Sequence, residues 1–583
     1  MAAPPPPRPA AADTSATLAA LGFAAVAALA ALLFFFHLGA YGLWEPDESR
    51  YAEIAREMLA SRNLIVPHLD YVPYVEKPPL LYWLTTLAMG LGGVNEFAAR
   101  FVNALAAFSG VALTFEFARR VFDLRRAILA GAVLATSALY AVMAQVLTTD
   151  MLLTSLTTAA FFALFLDWRV GGHWRWWGYL AMALAVLTKG PVGAALPIAV
   201  GTIFLWREGA IRGAWRRFSL IPGSLLIALV AGPWFLAMIL REPGYFDFYF
   251  IGEHFRRFFQ SGYSHDEPIY YFLPVLFGGL IPWTFTLPFI SWWSLKPDPA
   301  RRYCLIAASV VFVVFSLAQA KLAPYILPAF PPLAVVIADG LVSTVERGDG
   351  HRFAWVGLLF GCAAAAALAV ALTAARFRAP YPMMVRPALY AASVAFAAGA
   401  IACAVAFRLR RGALGLGAIV VTAAAAIIVI GYGRLMAEPM RSYAALARAI
   451  NQREPNARLA CFPRYIQSLP FYCRRRVIVI DGWTELTFGA EHSADAKDYF
   501  FIRRADLIRL WNDPRPTVFV VDRRVLPMLR RIFGPWREIA ADQSKVAIMR
   551  TTAAPLAGAR HPAPTGAKSA PAAARLAPSA PAQ

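Results

Sequence analysis

The segment LWEPDESRYAEIAREML, residues 43–59, places a carboxylate, a guanidinium and a phenol within little more than one helical turn. Pro46-Asp47 starts a helix, with Asp47 at or near its N-cap. Asp47, Arg50 and Tyr51 then stand at i, i+3 and i+4, so they share a face and can point together at a polar substrate. The same spacing also describes a capping aspartate with ordinary surface charge. Tyr51, Ile54, Ala55, Met58 and Leu59 recur at helical spacing and predict an amphipathic helix lying along a membrane interface. A second segment, YVEKPPLLYWL, residues 74–84, sets Glu76-Lys77 before two prolines. The prolines impose an extended turn ahead of a short apolar helix, so this Glu-Lys pair can be functional. An interfacial anchor would have the same composition.

The elements that hold these segments are membrane spans. The 583 residues are 59% apolar and 16% charged, with a mean hydropathy of +0.53. Soluble cores cannot bury so many apolar side chains, which excludes a cytosolic enzyme, a secreted disulfide scaffold and a disordered chain. The net charge of +21 would suggest nucleic acid in a soluble protein. Here the basic residues lie between apolar runs or after the last one, where topology and anionic headgroups account for them, so no nucleic-acid partner is expected.

Residues 1–16 are Pro/Ala-rich and read as disordered; Leu18–Leu38 is a retained first span. Further apolar runs bring the expected number of transmembrane helices to about thirteen, within a membrane domain of residues 17–433. The pair at 176–206 is the least regular, because Lys189-Gly190-Pro191 divides two short halves. With the N-terminus inside, the inside loops carry 18 basic residues and the short outside connections five. Loops 39–96 and 241–269 and residues 434–583 then lie outside. Within 434–550, RVIVID (476–481), TVFVVD (517–522) and VAIMR (546–550) predict strands and ADLIRLW and VLPMLRRIF predict helices, so the fold class is a polytopic α-helical membrane protein with a C-terminal outer α/β domain. Residues 551–583 read as a disordered Ala/Pro-rich tail. Cys461 and Cys473 leave room for one disulfide in the outer domain.

Several motifs in order carry a resemblance. WEPDESRYAEIAREM, PHLDYVPYVEKPPLLYW and KLAPYILPAFPPLA (321–334) do so together with LTTDMLLT (147–154), LTKGPVG (187–193), EHFRRF (253–258), HDEP (265–268) and SLPFY (468–472). From Gly39 to Phe488 the chain resembles the bacterial lipid A 4-amino-4-deoxy-L-arabinose transferase family. These are polytopic GT-C glycosyltransferases similar to the protein O-mannosyltransferases. The Ala/Pro-rich ends depart from that pattern. The resemblance implies a multi-pass enzyme of the bacterial inner membrane with its active site and C-terminal domain in the periplasm. It would move a sugar from an undecaprenyl-phosphate-linked donor to lipid A or a related lipid, among membrane lipids. It also implies that Asp47 is the key acidic residue, that Glu76 and Lys77 are the acid–base pair, and that Glu76 holds a divalent metal, zinc or magnesium, with His254 or alternatively His265. No organic cofactor is implied.

Undecaprenyl phosphate leaves as an anion, so cations must neutralise the charge growing on it. Lys77, Arg50, Lys189, Lys321, Arg256 and Arg257 are candidates, each at the outer end of a span or in an outside loop. Lys189 and Lys321 stand in apolar surroundings, which calls for a phosphate or carboxylate partner unless they snorkel to the interface. Asp150, at an outer span end, is a possible partner, or a helix cap. Tyr51, Tyr74, Tyr82 and Tyr325 can hydrogen-bond or stack on a sugar, or anchor an interface. A hydroxyl acceptor would need Asp47 as general base; a phosphate acceptor is already ionised and would leave it an orienting role. The other readings are a transferase for another sugar or a protein hydroxyl, and a lipid-linked sugar transporter. Transporters place charges near the bilayer midplane and repeat their halves, a pattern not visible here.

Overall fold

The first apolar run forms the helix Ala10–Phe35. It begins inside the stretch expected to be disordered, because alanine has the highest helix propensity. The computed structural model describes residues 10–256, 267–292, 297–373, 384–482, 484–501 and 504–551; residues 1–9 and 552–583, including most of the expected tail, lie outside them. Among the described residues nine helices are long and apolar enough to cross a membrane. Two bent pairs, Leu124–Ala135 with Ala138–Ala144 and Phe272–Gly279 with Trp283–Phe289, raise the number to eleven if each is one span. The remaining two of the thirteen expected runs are the helices Trp174–Lys189 and Val192–Arg207, of 16 residues each. That is about 24 Å of helix, short of a hydrocarbon core. Gly190, at φ +80°, and Pro191 turn the chain between them. Gly193 lies so near the Ala185 backbone that a Cβ would stand 2.4 Å from its carbonyl carbon, which lets the two helices fold closely on each other.

At one end of the bundle, Arg126 and Arg301 converge on the buried Asp339. Both arginines belong to stretches expected in inside loops. At the other end lie the long loop after the first helix, the 242–256 segment and the C-terminal domain. A buried pair locks that loop: Arg100, fully enclosed, donates to both oxygens of Glu48 at 2.8 Å. It donates also to the carbonyls of Leu38, Tyr41 and Gly42.

The C-terminal domain is a six-stranded sheet in the order β5-β4-β3-β6-β8-β7. It comprises β3 (Arg458–Phe462), β4 (Val477–Ile480), β5 (Phe500–Phe501), β6 (Thr517–Asp522), β7 (Trp536–Ala541) and β8 (Lys545–Arg550); β1 (His68–Leu69) and β2 (Val72–Pro73) pair separately in the first outer loop. β3, β4, β5 and β6 run parallel, and β7 and β8 close one edge antiparallel. The expected strands and helices are present. The pattern reading passed over β3, β5 and β7. β3 is buried on nearly every position as a central parallel strand, so it shows no alternation. Cys461 and Cys473 are buried free thiols, not a disulfide.

Helix Asp47–Ser61 is not an interfacial helix. Ten of its residues are buried, polar Glu48, Ser49, Glu53, Arg56 and Glu57 among them. One side packs on helix Leu80–Gly92, where Thr86 donates to the Ala55 carbonyl. The other lies under the C-terminal helix Ser468–Cys473. Its polar face meets protein instead of headgroups because the C-terminal domain caps it.

Candidate active site

Pro46 is the N-cap of helix Asp47–Ser61 and Asp47 the first helical residue, with no side-chain capping bond. The Asp47 carboxylate is therefore not spent on the helix end. It is half exposed and stands 3.4 Å from Arg50. Arg50 turns its other guanidinium nitrogen to Glu485 of the C-terminal domain, at 2.7 Å, with both side chains about 15% exposed. Burial by itself would lower the Arg50 pKa; the phenols and carboxylates around it, Tyr74 and Glu485 foremost, reverse that and hold it above the ordinary value.

Tyr51 is buried beside this pair, its ring 5.9 Å from that of Tyr82. Burial, then the charge of Asp47, raises its phenol well above the usual range, and Asp150 and Glu76 are near enough to add to the effect. Tyr74 is buried and donates to Glu76 at 2.8 Å. Asp150 is not a cap: it follows the first residue of helix Thr149–Val170 and ion-pairs with Lys189, at the end of helix Trp174–Lys189. The Lys189 ammonium lies 4.0 Å from the centre of the Tyr325 ring, a cation–π contact. Asp47, Arg50, Tyr51, Tyr74, Glu76, Tyr82 and Asp150 thus form one interacting group, with Lys189 and Tyr325 behind Asp150.

Two expected cations sit differently. Lys77 donates to the main-chain carbonyl of Glu76 at 3.1 Å. Lys321 is buried, and its ammonium is held by the carbonyls of Glu267 at 2.6 Å and Gln319 at 3.4 Å, with no carboxylate partner among the described residues. The side chains of His254 and Arg256, and all of Arg257 and His265, fall outside the described residues. Among the described residues no three His, Cys, Asp or Glu side chains gather to hold a metal; Glu76 supplies one oxygen donor.

Sequence reasoning missed the residues by which the C-terminal domain closes the site. Glu45 accepts from the N–H groups of Ser468 at 2.7 Å and Gln467 at 3.2 Å, and burial pushes its carboxyl up to about 7. Gln467 also donates to Glu485. Burial raises Glu485 as well, and Arg50 offsets this only in part. Glu45 lies inside the WEPDES motif, and Glu485 lies three residues before the limit of the resemblance. Each was a lone glutamate with no periodic partner to mark it.

Two family profiles match the chain. That of the dolichyl-phosphate-mannose-protein mannosyltransferases matches residues 76–236. That of the aminoarabinose transferase C-terminal domain matches residues 446–550. The undecaprenyl phosphate-α-4-amino-4-deoxy-L-arabinose arabinosyl transferase of Aeromonas salmonicida is 34% identical over 371 residues, 62% of this chain and 67% of that protein. The protein of the same name from Edwardsiella ictaluri is 36% identical over 344 residues, 57% of this chain and 61% of its own. The chain belongs to this transferase family. Its alignments span about three fifths to two thirds of these curated relatives' length. In three dimensions the likeness is wider. The crystal structure of ArnT from Cupriavidus metallidurans bound to undecaprenyl phosphate is 27% identical, with a TM-score of 0.79, and the match covers 91% of this chain and 98% of that one. The chain is accordingly a multi-pass GT-C membrane protein. The profile limits agree with the geometry: the first begins at Glu76, and the second takes in the whole six-stranded sheet.

Proposed function

We propose that this protein transfers 4-amino-4-deoxy-L-arabinose from undecaprenyl phosphate to a phosphate group of lipid A, on the periplasmic side of the bacterial inner membrane. The observation that carries this reading is the joining of Asp47, Arg50, Tyr51 and Glu76 to the Asp150–Lys189 pair and to Glu485 at the loop-bearing end of the bundle. The relative solved with undecaprenyl phosphate supports the donor. In the reaction an oxygen of the acceptor phosphate attacks the anomeric carbon. The bond from that carbon to the undecaprenyl phosphate oxygen breaks, and its electron pair leaves on the phosphate. No proton need be removed from an ionised acceptor, so the half-exposed Asp47 orients the acceptor and Arg50 instead of acting as base. Lys77, Lys189 and Arg50, together with Lys321 and Arg256, oppose the charge on the leaving phosphate. Tyr51, Tyr74, Tyr82 and Tyr325 offer ring faces and phenol donors to the sugar.

A sugar that carries an ammonium can meet a carboxylate here, since the half-exposed Asp47 stands at the site. A divalent ion held by Glu76 and a histidine, His254 or His265, would add positive charge at the leaving phosphate. Incubation with EDTA, followed by restoration with zinc or magnesium, tests that part: activity should fall and return, and unchanged activity after exhaustive chelation refutes it. The whole reading is tested by giving the purified protein undecaprenyl-phosphate-linked aminoarabinose and lipid A. Mass spectrometry should show lipid A heavier by one aminoarabinose. Transfer to a Ser/Thr peptide instead would favour the protein-acceptor reading that the 76–236 profile raises.

A further inference from the structure

At the far end of the bundle the helices Arg386–Arg408 and Gly412–Arg441 are joined by a short basic turn. Helix Gly412–Arg441 ends at the candidate active site, where the Arg441 carbonyl accepts from the Glu45 N–H. Its first residue is therefore about 45 Å away along a 30-residue helix. There a cavity of about 560 Å³ opens between this turn and the 345–354 segment. Its rim carries Arg408, Arg410, Arg411 and His351; Phe353, Cys403 and Ala406 line its depth.

The three arginines are exposed, and none has a carboxylate partner among the described residues. The nearby acid, Asp349, is already engaged by Arg352 and Ser291. Three guanidinium groups within four positions repel one another, and an anion at their centre relieves that repulsion. A phosphate fits best, because each guanidinium can grip it with two parallel hydrogen bonds. The flanking Leu409 and Leu414 are exposed and apolar, which places the rim at the level where hydrocarbon meets headgroups. A free phosphate would leave the apolar depth unused, whereas the glycerol and upper acyl carbons of a lipid would fill it.

We propose that this cavity binds the phosphate of an anionic phospholipid and so anchors the last two spans on the face opposite the active site. The test uses the full-length protein, delipidated in detergent and titrated with phosphatidylglycerol or with inorganic phosphate, bound molecules being counted by native mass spectrometry. One phosphatidylglycerol per chain should be held tightly, and millimolar inorganic phosphate should not displace it. The variant R408A/R410A/R411A should bind it about a hundredfold more weakly, at about tenfold or less per basic residue. Gly415→Leu keeps all three arginines. A Cβ at Gly415 lies 3.9 Å from Ala406 and Phe353, so a larger side chain projects into the space and should weaken binding likewise. R207A/R212A, in another exposed basic loop, should bind as wild type does. Equal loss in that control would reduce the effect to diffuse charge, and displacement by inorganic phosphate would make this a free-anion site. Either outcome overturns the proposal, as does undiminished binding by both cavity variants.

Discussion

Glu485 lies more than 430 residues after Arg50 in the chain, yet among the described residues its carboxylate is the nearest anion to that guanidinium, at 2.7 Å against 3.4 Å for Asp47. If Arg50 meets the phosphate that leaves, Glu485 fixes where Arg50 can be. Glu485→Gln keeps the shape and removes the charge. A hydrogen bond between charged groups contributes about 1.5–3 kcal/mol net, and the pair is about 85% shielded from solvent, so little of that is lost to screening. At about 1.4 kcal/mol per tenfold, transfer should fall by roughly ten- to a hundredfold. The assay is transfer of aminoarabinose to lipid A by purified E485Q, R50A and the double variant, with thermal unfolding of each recorded alongside. The double variant should be little worse than R50A alone, giving a coupling of about 1.5–3 kcal/mol. A coupling below about 0.5 kcal/mol would refute the reasoning, since two residues in direct contact must interact by more than distant ones do. So would a loss of activity in E485Q matched by an equal loss of stability.

Asp47→Ala should abolish transfer while the melting curve stays near that of wild type, because this carboxylate is half exposed and caps nothing; near-normal turnover would remove it from the site. Arg100→Ala should destabilise the fold by about 3–5 kcal/mol, since it strands the buried Glu48 without its partner; thermal unfolding of the purified variant reads this directly. Glu45 has its folded pKa raised from the usual 4.5 to about 7 by burial, so the folded protein holds a proton that the unfolded chain has released. Its contribution to stability is complete below about pH 4.5 and is lost as the pH rises through 7, by about 3 kcal/mol over that window. Glu45→Gln should flatten this part of the stability–pH curve, and an unchanged curve would show that Glu45 does not titrate there.

Local chemistry made the spans, the two motif segments and half of the outer sheet legible in the sequence. Long apolar runs have one low-energy state in a membrane, because every backbone polar group must be satisfied within the segment. Asp47, Arg50 and Tyr51 share a face because helical spacing requires it, and the Asp150–Lys189 pair follows from the cost of leaving a lysine alone in apolar surroundings. The amphipathic stripe of residues 51–59 announced a buried apolar side but not what would cover the polar side. A hydrophobic pattern is the same whether headgroups or a folded domain lie opposite it.

The sequence by itself determined which residues are the candidates for the chemistry and that most of them stand at one end of a helical bundle. Only the tertiary structure decided that the C-terminal domain completes the site. Glu485 reaches Arg50 through a 3₁₀ turn after β4, and Glu45 binds the main chain at Gln467 and Ser468. Such contacts depend on how two separately folded surfaces meet. Their partners lie hundreds of positions apart, and no local periodicity, cap or turn in either segment encodes the other.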